Sequence, residues 1–410
     1  MPADSPSPKR FLLASVLKPI DDTRMRGKFA NTLRAWPLAE VHVAGRALGP
    51  TTPPTLAEES PAVWQHQIFG GTRLSLSRLA AQVRYWRLLH RLQPDLAIVH
   101  APELLPLTLL WQALGRGRQF AYDIQENYAL NVNTQQVYRS GLKHGLAAGL
   151  RWVEGLAARR AAAVLLAEAS YADELPFLAA LPPRRVLVLE NKYQPTPGEV
   201  LPRVARPLPN PREPLRLLFS GTISELNGVH EALDLAEALH QAWPGGAQLT
   251  IIGFCQQPEL LSALQARLAR LAATAPGLAS LVGGAALVPH ARIVAEMARA
   301  HLGLLPYRPH PSTWRCQPTK LFEYLAHGLP VLLPANPLWA STVHTHQAGL
   351  AVDFGEAAQT AAYVASRLPT AQFYPAGVPT DAVLWAGEGK KLRHLLESLG
   401  LGPTFAAPFA

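Results

Sequence analysis

Short, largely apolar and β-rich runs recur along this chain, each followed by a longer amphipathic stretch. No other feature narrows the fold so far. In the first half the runs are FLLASVL (11–17), EVHVAG (40–45), DLAIVH (95–100), QFAYD (119–123), AAVLLA (162–167) and RVLVLE (185–190). A strand with one wet face alternates polar and apolar residues, and these runs do not. They predict strands buried on both faces, in a parallel sheet covered by helices. Between them the pattern turns helical. In 75–92, Leu79, Val83, Trp86 and Leu89 fall at three- and four-residue spacing and are expected to form the buried face.

The alternation stops at YQPTPGEVLPRVARPLPNPREP (193–214), which holds seven prolines and no periodicity. Such a stretch reads as a semi-rigid linker. Beyond it the pattern restarts, with strands expected at 215–220, 248–253, 278–283, 302–307, 329–334 and 350–354. Helices are expected near 228–243, 257–272, 290–300, 318–327 and 356–368. At 410 residues the chain is too long for one ordinary core. The expected domains are 1–195, a linker at 196–214, and 215–375, with a tail at 376–410 that carries an amphipathic helix (381–400). Paired doubly wound domains of this kind bind ligands at the carboxyl ends of their strands.

Composition excludes several classes. Charged residues are 16% of the chain and hydrophobic ones 49%, so it is not disordered by composition. The net charge is +9, which favours anionic partners such as nucleotides, phospholipid headgroups or acidic glycans. The basic residues are scattered without a long run, which argues against a nucleic-acid stripe. Cys255 and Cys316 lie far apart and outside metal-binding spacing, so a reducing cytoplasm is the expected setting and no metal is expected. The apolar run after PKR is seven residues, ends at Lys18 and lacks a cleavage site, so it reads as a first strand rather than a leader. No run reaches the length of a membrane span.

The residues that carry chemistry cluster in four places. In RCQPTKLFEYLAHGLPVLLP (315–334), Pro318 and Thr319 open a helix whose first-turn N–H groups favour an anion. Lys320 adds a charge at that mouth, and Glu323 lies one turn on, on the same face. A diphosphate at the helix end and a vicinal diol at the carboxylate would satisfy both. An exposed Lys320–Glu323 surface pair is the alternative, and spacing does not choose. In SGTISELNGV (220–229), Gly221 admits close backbone approach and the loop through Thr222 to Asn227 offers N–H groups to a phosphate. In LKPIDDTRMRGKFA (17–30), Arg24 and Lys28 stand after the first strand, as ligand-binding or simply solvated groups. His100 and Glu103, and Asp123, Gln125 and Glu126, follow the ends of two further strands. A histidine there is either a packed, hydrogen-bonded residue or a catalyst.

In this order, and above all in PTKLFEYLAHGLPVL, the chain resembles the GT-B glycosyltransferases, in particular glycosyltransferase family 4. The resemblance covers nearly the whole chain and is looser in the first half. It implies two facing Rossmann-like doubly wound domains, with the last helix returning to the first domain. It implies an enzyme that moves a sugar from a nucleotide-diphosphate donor to a glycan, lipid-linked or small acceptor. The donor is a substrate rather than a cofactor, retention of configuration is expected, and polysaccharide biosynthesis is the setting. Glu323 would hold the donor ribose and Lys320 would sit near its phosphates, with Gly221, Thr222, Asn227, Pro318 and Thr319 completing the donor site. Arg24, Lys28, Glu103, Gln125 and Glu126 would shape the acceptor side, with His100, Arg315 and Lys320 nearest the chemistry. The pattern departs from the family at four positions. Arg315 stands where many members carry a glutamate, Thr222 and Asn227 replace basic residues of the diphosphate loop, and Gln125 replaces a histidine. Lys320, Arg315 or Arg308 would then supply charge for the leaving group. Two alternatives stay open: a nucleotide-sugar epimerase on the same fold, and a non-catalytic nucleotide-sugar-binding subunit.

A separate expectation concerns SGLKHGLAAGLRWVEGLAARR (140–160). It is basic and helical in pattern, with Trp152 beside Leu142, Leu146 and Leu150. Such a helix can lie peripherally on an anionic membrane surface or pack against a sheet.

Overall fold

A computed structural model describes residues 8–47, 63–71, 75–134, 140–311 and 313–402. The chain divides into two compact units, residues 1–194 with 385–410, and residues 195–384.

The first unit is built on strands β1 (Lys9–Pro19), β2 (Ala39–Arg46), β3 (Val63–Phe69), β4 (Leu96–Val99), β5 (Gln119–Ile124), β6 (Ala163–Leu166) and β7 (Val186–Val188). They pair in the order β3-β2-β1-β4-β5-β6-β7, all parallel. β4 and β6 are apolar end to end because helices cover both faces, as uninterrupted runs require.

The second unit contains β8 (Leu215–Ile223), β9 (Ala247–Cys255), β10 (Ala279–Gly284), β11 (Leu302–Leu304), β12 (Val331–Leu333) and β13 (Gly349–Ala351). Their order is β10-β9-β8-β11-β12-β13, again all parallel. In both sheets the order reverses beside the first strand, between β1 and β4 and between β8 and β11. That is where doubly wound folds open a crevice for ligands. The last helix, Trp385–Ser398, packs on the first unit, as expected. Trp385, Leu392, Leu395 and Leu396 join the core formed by Phe11, Leu13, Phe29 and Leu33.

Four details differ from the sequence reading. β3 was not expected, because VWQHQIF is polar through its middle and sits at the sheet edge, with Trp64 exposed. Such a strand carries no uninterrupted apolar run. On the helix Ser77–Leu92, Leu79 and Val83 are exposed, and Ala81, Tyr85, Leu88 and Leu89 form the buried face. Tyr85 wins its place because its hydroxyl finds Thr108 Oγ1 at 2.8 Å. Residues 23–30 are not an open, solvated loop. They wind into a buried π-helical segment, capped by the Asp22 carboxylate on the N–H groups of Arg24 and Met25. The proline-rich segment, expected as a semi-rigid linker, belongs to the second unit and is strapped to it. Arg206 N–H bonds Gly328 O at 2.9 Å, and its guanidinium reaches Ala298 O at 3.0 Å.

Candidate functional site

In the second unit the switch point between β8 and β11 gathers the groups read from the sequence. The helix after β11 runs Thr319–Ala326, with Pro318 as its cap residue rather than its first helical residue. Tyr324 locks this helix to β8. Its buried hydroxyl lies 3.1 Å from Ser220 N and 2.9 Å from Ser220 Oγ. Gly303 on β11 makes room for that ring, since a Cβ there would come 2.6 Å from it. With the helix so placed, the Lys320 stem lies along Gly221. A Cβ on Gly221, whose φ is +116°, would meet Lys320 Cε at 3.2 Å.

Lys320 Nζ donates to Glu323 Oε2 at 2.5 Å, and His290 Nε2 lies 2.7 Å from Glu323 Oε1. This is not the exposed surface pair that spacing alone allows, because the Lys320 and Glu323 side chains are 14% and 7% exposed. Burial pushes the Glu323 carboxyl up, but the Lys320 ammonium and the His290 hydrogen bond more than offset this and hold it at about 2. Glu323 is therefore a buried carboxylate that stays ionised.

The loop after β8 closes on itself. Asn227 Nδ2 donates to Thr222 O at 2.8 Å, and Asn227 N–H bonds Ser224 Oγ at 3.1 Å. Asn227 thus shapes the loop, while Thr222 is exposed. Gly228 is needed here, because at φ +78° a Cβ would stand 1.9 Å from Pro306 O. Thr319 is exposed at the helix mouth, and Arg315 is exposed in the loop before it. That loop is pinned on either side of Arg315 by a helix the sequence reading missed, Pro337–Thr345. Asn336 Nδ2 holds Trp314 O and Trp339 Nε1 holds Cys316 O, each at 2.7 Å. Arg308 bonds Glu231 at 2.5 Å.

Two further features escaped the sequence reading. One is His290, first residue of the helix His290–Arg299, whose partner Glu323 lies in a different element. The other is a row of glycines, Gly221, Gly253 and Gly283, in register across β8, β9 and β10. They leave bare backbone at the carboxyl edge of the sheet. The cue was available, since a glycine stands at or just after the end of each of the three runs 215–220, 248–253 and 278–283.

In the first unit the buried centre is Asp123, at the end of β5. Arg24 grips it with two hydrogen bonds, Nε to Oδ2 at 2.9 Å and Nη2 to Oδ1 at 2.7 Å, and reaches Leu189 O with Nη1 at 2.9 Å. His100 Nδ1 lies 2.7 Å from Asp123 Oδ2, and Gln125 Nε2 donates to the same oxygen at 3.1 Å. Burial would raise the Asp123 carboxyl, yet Arg24 and His100 hold it well below the usual carboxylate range. A carboxylate at Nδ1 makes that nitrogen the donor, which leaves His100 Nε2 as the second ring nitrogen. It is buried without a hydrogen-bond partner among the described residues, with Phe29 edge-on to the ring. Arg24 is thus a buried strut, its guanidinium engaged by Asp123 and Leu189 O. Lys28 is buried and bonds Asn191 O at 3.1 Å and also Asn191 Oδ1. Glu103 pairs with Arg78, and Glu126 accepts from Asn131 Nδ2 at 2.9 Å. Arg24, His100 and Gln125 therefore converge on Asp123, while Lys28, Glu103 and Glu126 take other partners.

Two family models match the chain. Residues 28–192 match the glycosyl transferase 4-like domain, and residues 214–368 match the glycosyl transferases group 1. Among curated proteins nothing matches. Solved structures share the architecture at low identity. Sucrose-phosphate synthase from Thermosynechococcus elongatus is 14% identical with a TM-score of 0.64, over 96% of this chain and 99% of that one. HepE from Anabaena, solved with UDP and glucose, is 15% identical with a TM-score of 0.62, over 95% and 99%. The α,α-trehalose 6-phosphate synthase from Burkholderia multivorans is 12% identical with a TM-score of 0.61, over 96% and 99%.

Proposed function

The chain belongs to the GT-B glycosyltransferases, and from that premise we propose that it moves a sugar from a nucleotide-diphosphate donor to a glycan, lipid-linked or small acceptor. One observation carries this reading: Gly221, Lys320, Glu323 and His290 meet at the switch point between β8 and β11. Breaking a sugar–phosphate bond builds negative charge on the departing diphosphate. The mouth of the helix Thr319–Ala326, the N–H groups of the loop after β8 and the Lys320 ammonium stabilise that charge. Exposed Arg315 adds to the field. Glu323, ionised and one turn deeper, accepts the ribose diol. HepE holds UDP, which supports a nucleotide sugar as donor here. Transfer proceeds with retention and without a metal, so product formed in EDTA keeps the donor's anomeric configuration by NMR.

The test is a thermal-shift screen of UDP-, GDP-, ADP- and dTDP-sugars, repeated on Glu323→Ala and Lys320→Ala. One donor should raise the melting temperature by several degrees, and both variants should lose most of the shift. Equal shifts in parent and variants would disprove the site. An acceptor-free incubation separates transfer from epimerisation, since only an epimerase interconverts the free nucleotide sugar.

A lipid-linked acceptor would place the first unit at a membrane surface. On the helix Ser140–Arg160, Leu146 is 48% and Trp152 66% exposed, and Arg159 and Arg160 are exposed at its end. This apolar and basic combination suits an anionic bilayer. Among the described residues no helix is long and apolar enough to cross one. Flotation with acidic liposomes at low salt should carry the protein upward, and Trp152→Ala should reduce this. No flotation of the parent would end the idea.

A further inference from the structure

We propose that His290 is a positioning residue of the donor site, fixing how Glu323 meets the ribose. The proposal rests on the reading of Glu323 as the ribose-binding carboxylate. Among the described residues each oxygen of that carboxylate has one protein donor, Lys320 Nζ on Oε2 and His290 Nε2 on Oε1. An ionised carboxylate accepts about four hydrogen bonds. One position is therefore left on each oxygen, which matches a vicinal diol presenting one hydroxyl to each.

The two donors come from different places. Lys320 lies on the same helix as Glu323, three residues earlier. His290 opens the helix His290–Arg299, which follows β10 and its left-handed glycines Gly283 (φ +90°) and Gly284 (φ +80°). Pro289 sets the backbone just before it, so the ring is carried on a stiff turn rather than a loose loop. The last torsion of a glutamate is broad, and Lys320 alone would leave Oε1 free to swing. His290 fastens the second oxygen from a separate element and so fixes the carboxylate plane. Its side chain is 32% exposed while that of Glu323 is 7% exposed, so the histidine stands at the rim and the acid lies below.

The experiment is isothermal titration of the full chain with UDP, GDP, ADP and CDP, each against its 2′,3′-dideoxy counterpart. The tightest-binding pair is then read on the variants. The parent should prefer the ribonucleotide by roughly tenfold or more, as expected for hydrogen bonds to a charged group. Glu323→Ala should abolish that preference. His290→Ala should weaken the ribonucleotide and leave the dideoxynucleotide unchanged, so the preference falls to about threefold or less. His290→Gln, which keeps an N–H donor, should recover part of it. Retained dideoxynucleotide binding shows that each variant is folded. Equal weakening of both ligands by His290→Ala, or no change in either, overturns the role of His290 alone. A preference that survives Glu323→Ala, or no binding by any of the four, overturns the ribose site and the proposal with it.

Discussion

At the scale of single residues, two buried carboxylates organise the two units, and both are kept ionised by cationic neighbours. For Glu323 the pH dependence follows from its sign. Its carboxyl is held at about 2 in the folded chain, below its ordinary value. A depressed carboxyl adds stability that is complete above the unfolded value and is lost as pH falls toward the folded one. The window is thus from about 4.5 down to about 2, and the contribution is on the order of 3 kcal/mol. Urea unfolding of the second unit at pH 7, 5, 4 and 3 should show the parent weakening below about pH 4.5. Glu323→Gln should have a flatter profile, because it has no proton to take up there. Parallel profiles would remove Glu323 as the cause. Asp123 is shifted in the same direction, but its cost is clearer by substitution. Asp123→Asn leaves the buried Arg24 charge uncompensated, which should cost about 3–5 kcal/mol in denaturant unfolding of the first unit.

At the scale of elements, the donor site depends on where glycines let backbone approach. Gly221 and Gly228 flank the same loop, and their substitution should have different consequences. At Gly221 an added Cβ meets the Lys320 stem at 3.2 Å, and a flexible side chain can give way. Gly221→Ala should cost about 1–2 kcal/mol for its left-handed backbone, keep the fold and displace Lys320. Its main effect should be loss of the donor-induced thermal shift. At Gly228 the Cβ would strike the Pro306 carbonyl at 1.9 Å, and backbone cannot yield so easily. Gly228→Ala should lower the melting temperature more than Gly221→Ala, and the ordering of the two checks the assignment.

The same elements show what the sequence could tell. The Lys320–Glu323 relation was legible because both residues lie on one short helix, where a three-residue spacing fixes the face. Strands such as β4 and β6 were legible because nothing polar interrupts them. His290 was not, because its partner is 33 residues away and they meet only through strand order. The Arg24–Asp123 pair was hidden for the same reason, its members standing 99 positions apart. The helix Ser77–Leu92 has apolar residues around much of its circumference, so periodicity offered a plausible face that the packing did not choose.

At the scale of the whole molecule, the chain leaves its first unit after Gln194 and returns at Trp385, so the first unit is complete only when the C-terminal helix has arrived. Trp385 is the anchor of that return. Its ring is 1% exposed, its Nε1 donates to Thr32 Oγ1 at 2.9 Å, and its centroid lies 5.3 Å from that of Phe29. The guanidinium of Arg24 stands 5.8 Å over the same ring, so the tail also buttresses the strut that neutralises Asp123. One turn on, the buried Glu388 takes the Lys192 ammonium at 2.8 Å, tying the helix to the end of the first chain segment. Trp385→Ala should therefore cost about 3–5 kcal/mol, the usual range for a large aromatic emptied from a core. The loss should fall on one unit alone. Hydrogen exchange should quicken in β1, β2 and β4, where Phe11, Leu13, Val41, Val43 and Ile98 share the core with Trp385. Exchange in β8 to β12 should stay as in the parent, because their core is built from residues 215–368. Ending the chain at Leu384 should have the larger effect, since Leu392, Leu395 and Leu396 leave the core together with Trp385. Equal acceleration in both sheets would mean that the helix does not belong to the first unit. No acceleration in either would mean that the first sheet is stable without it.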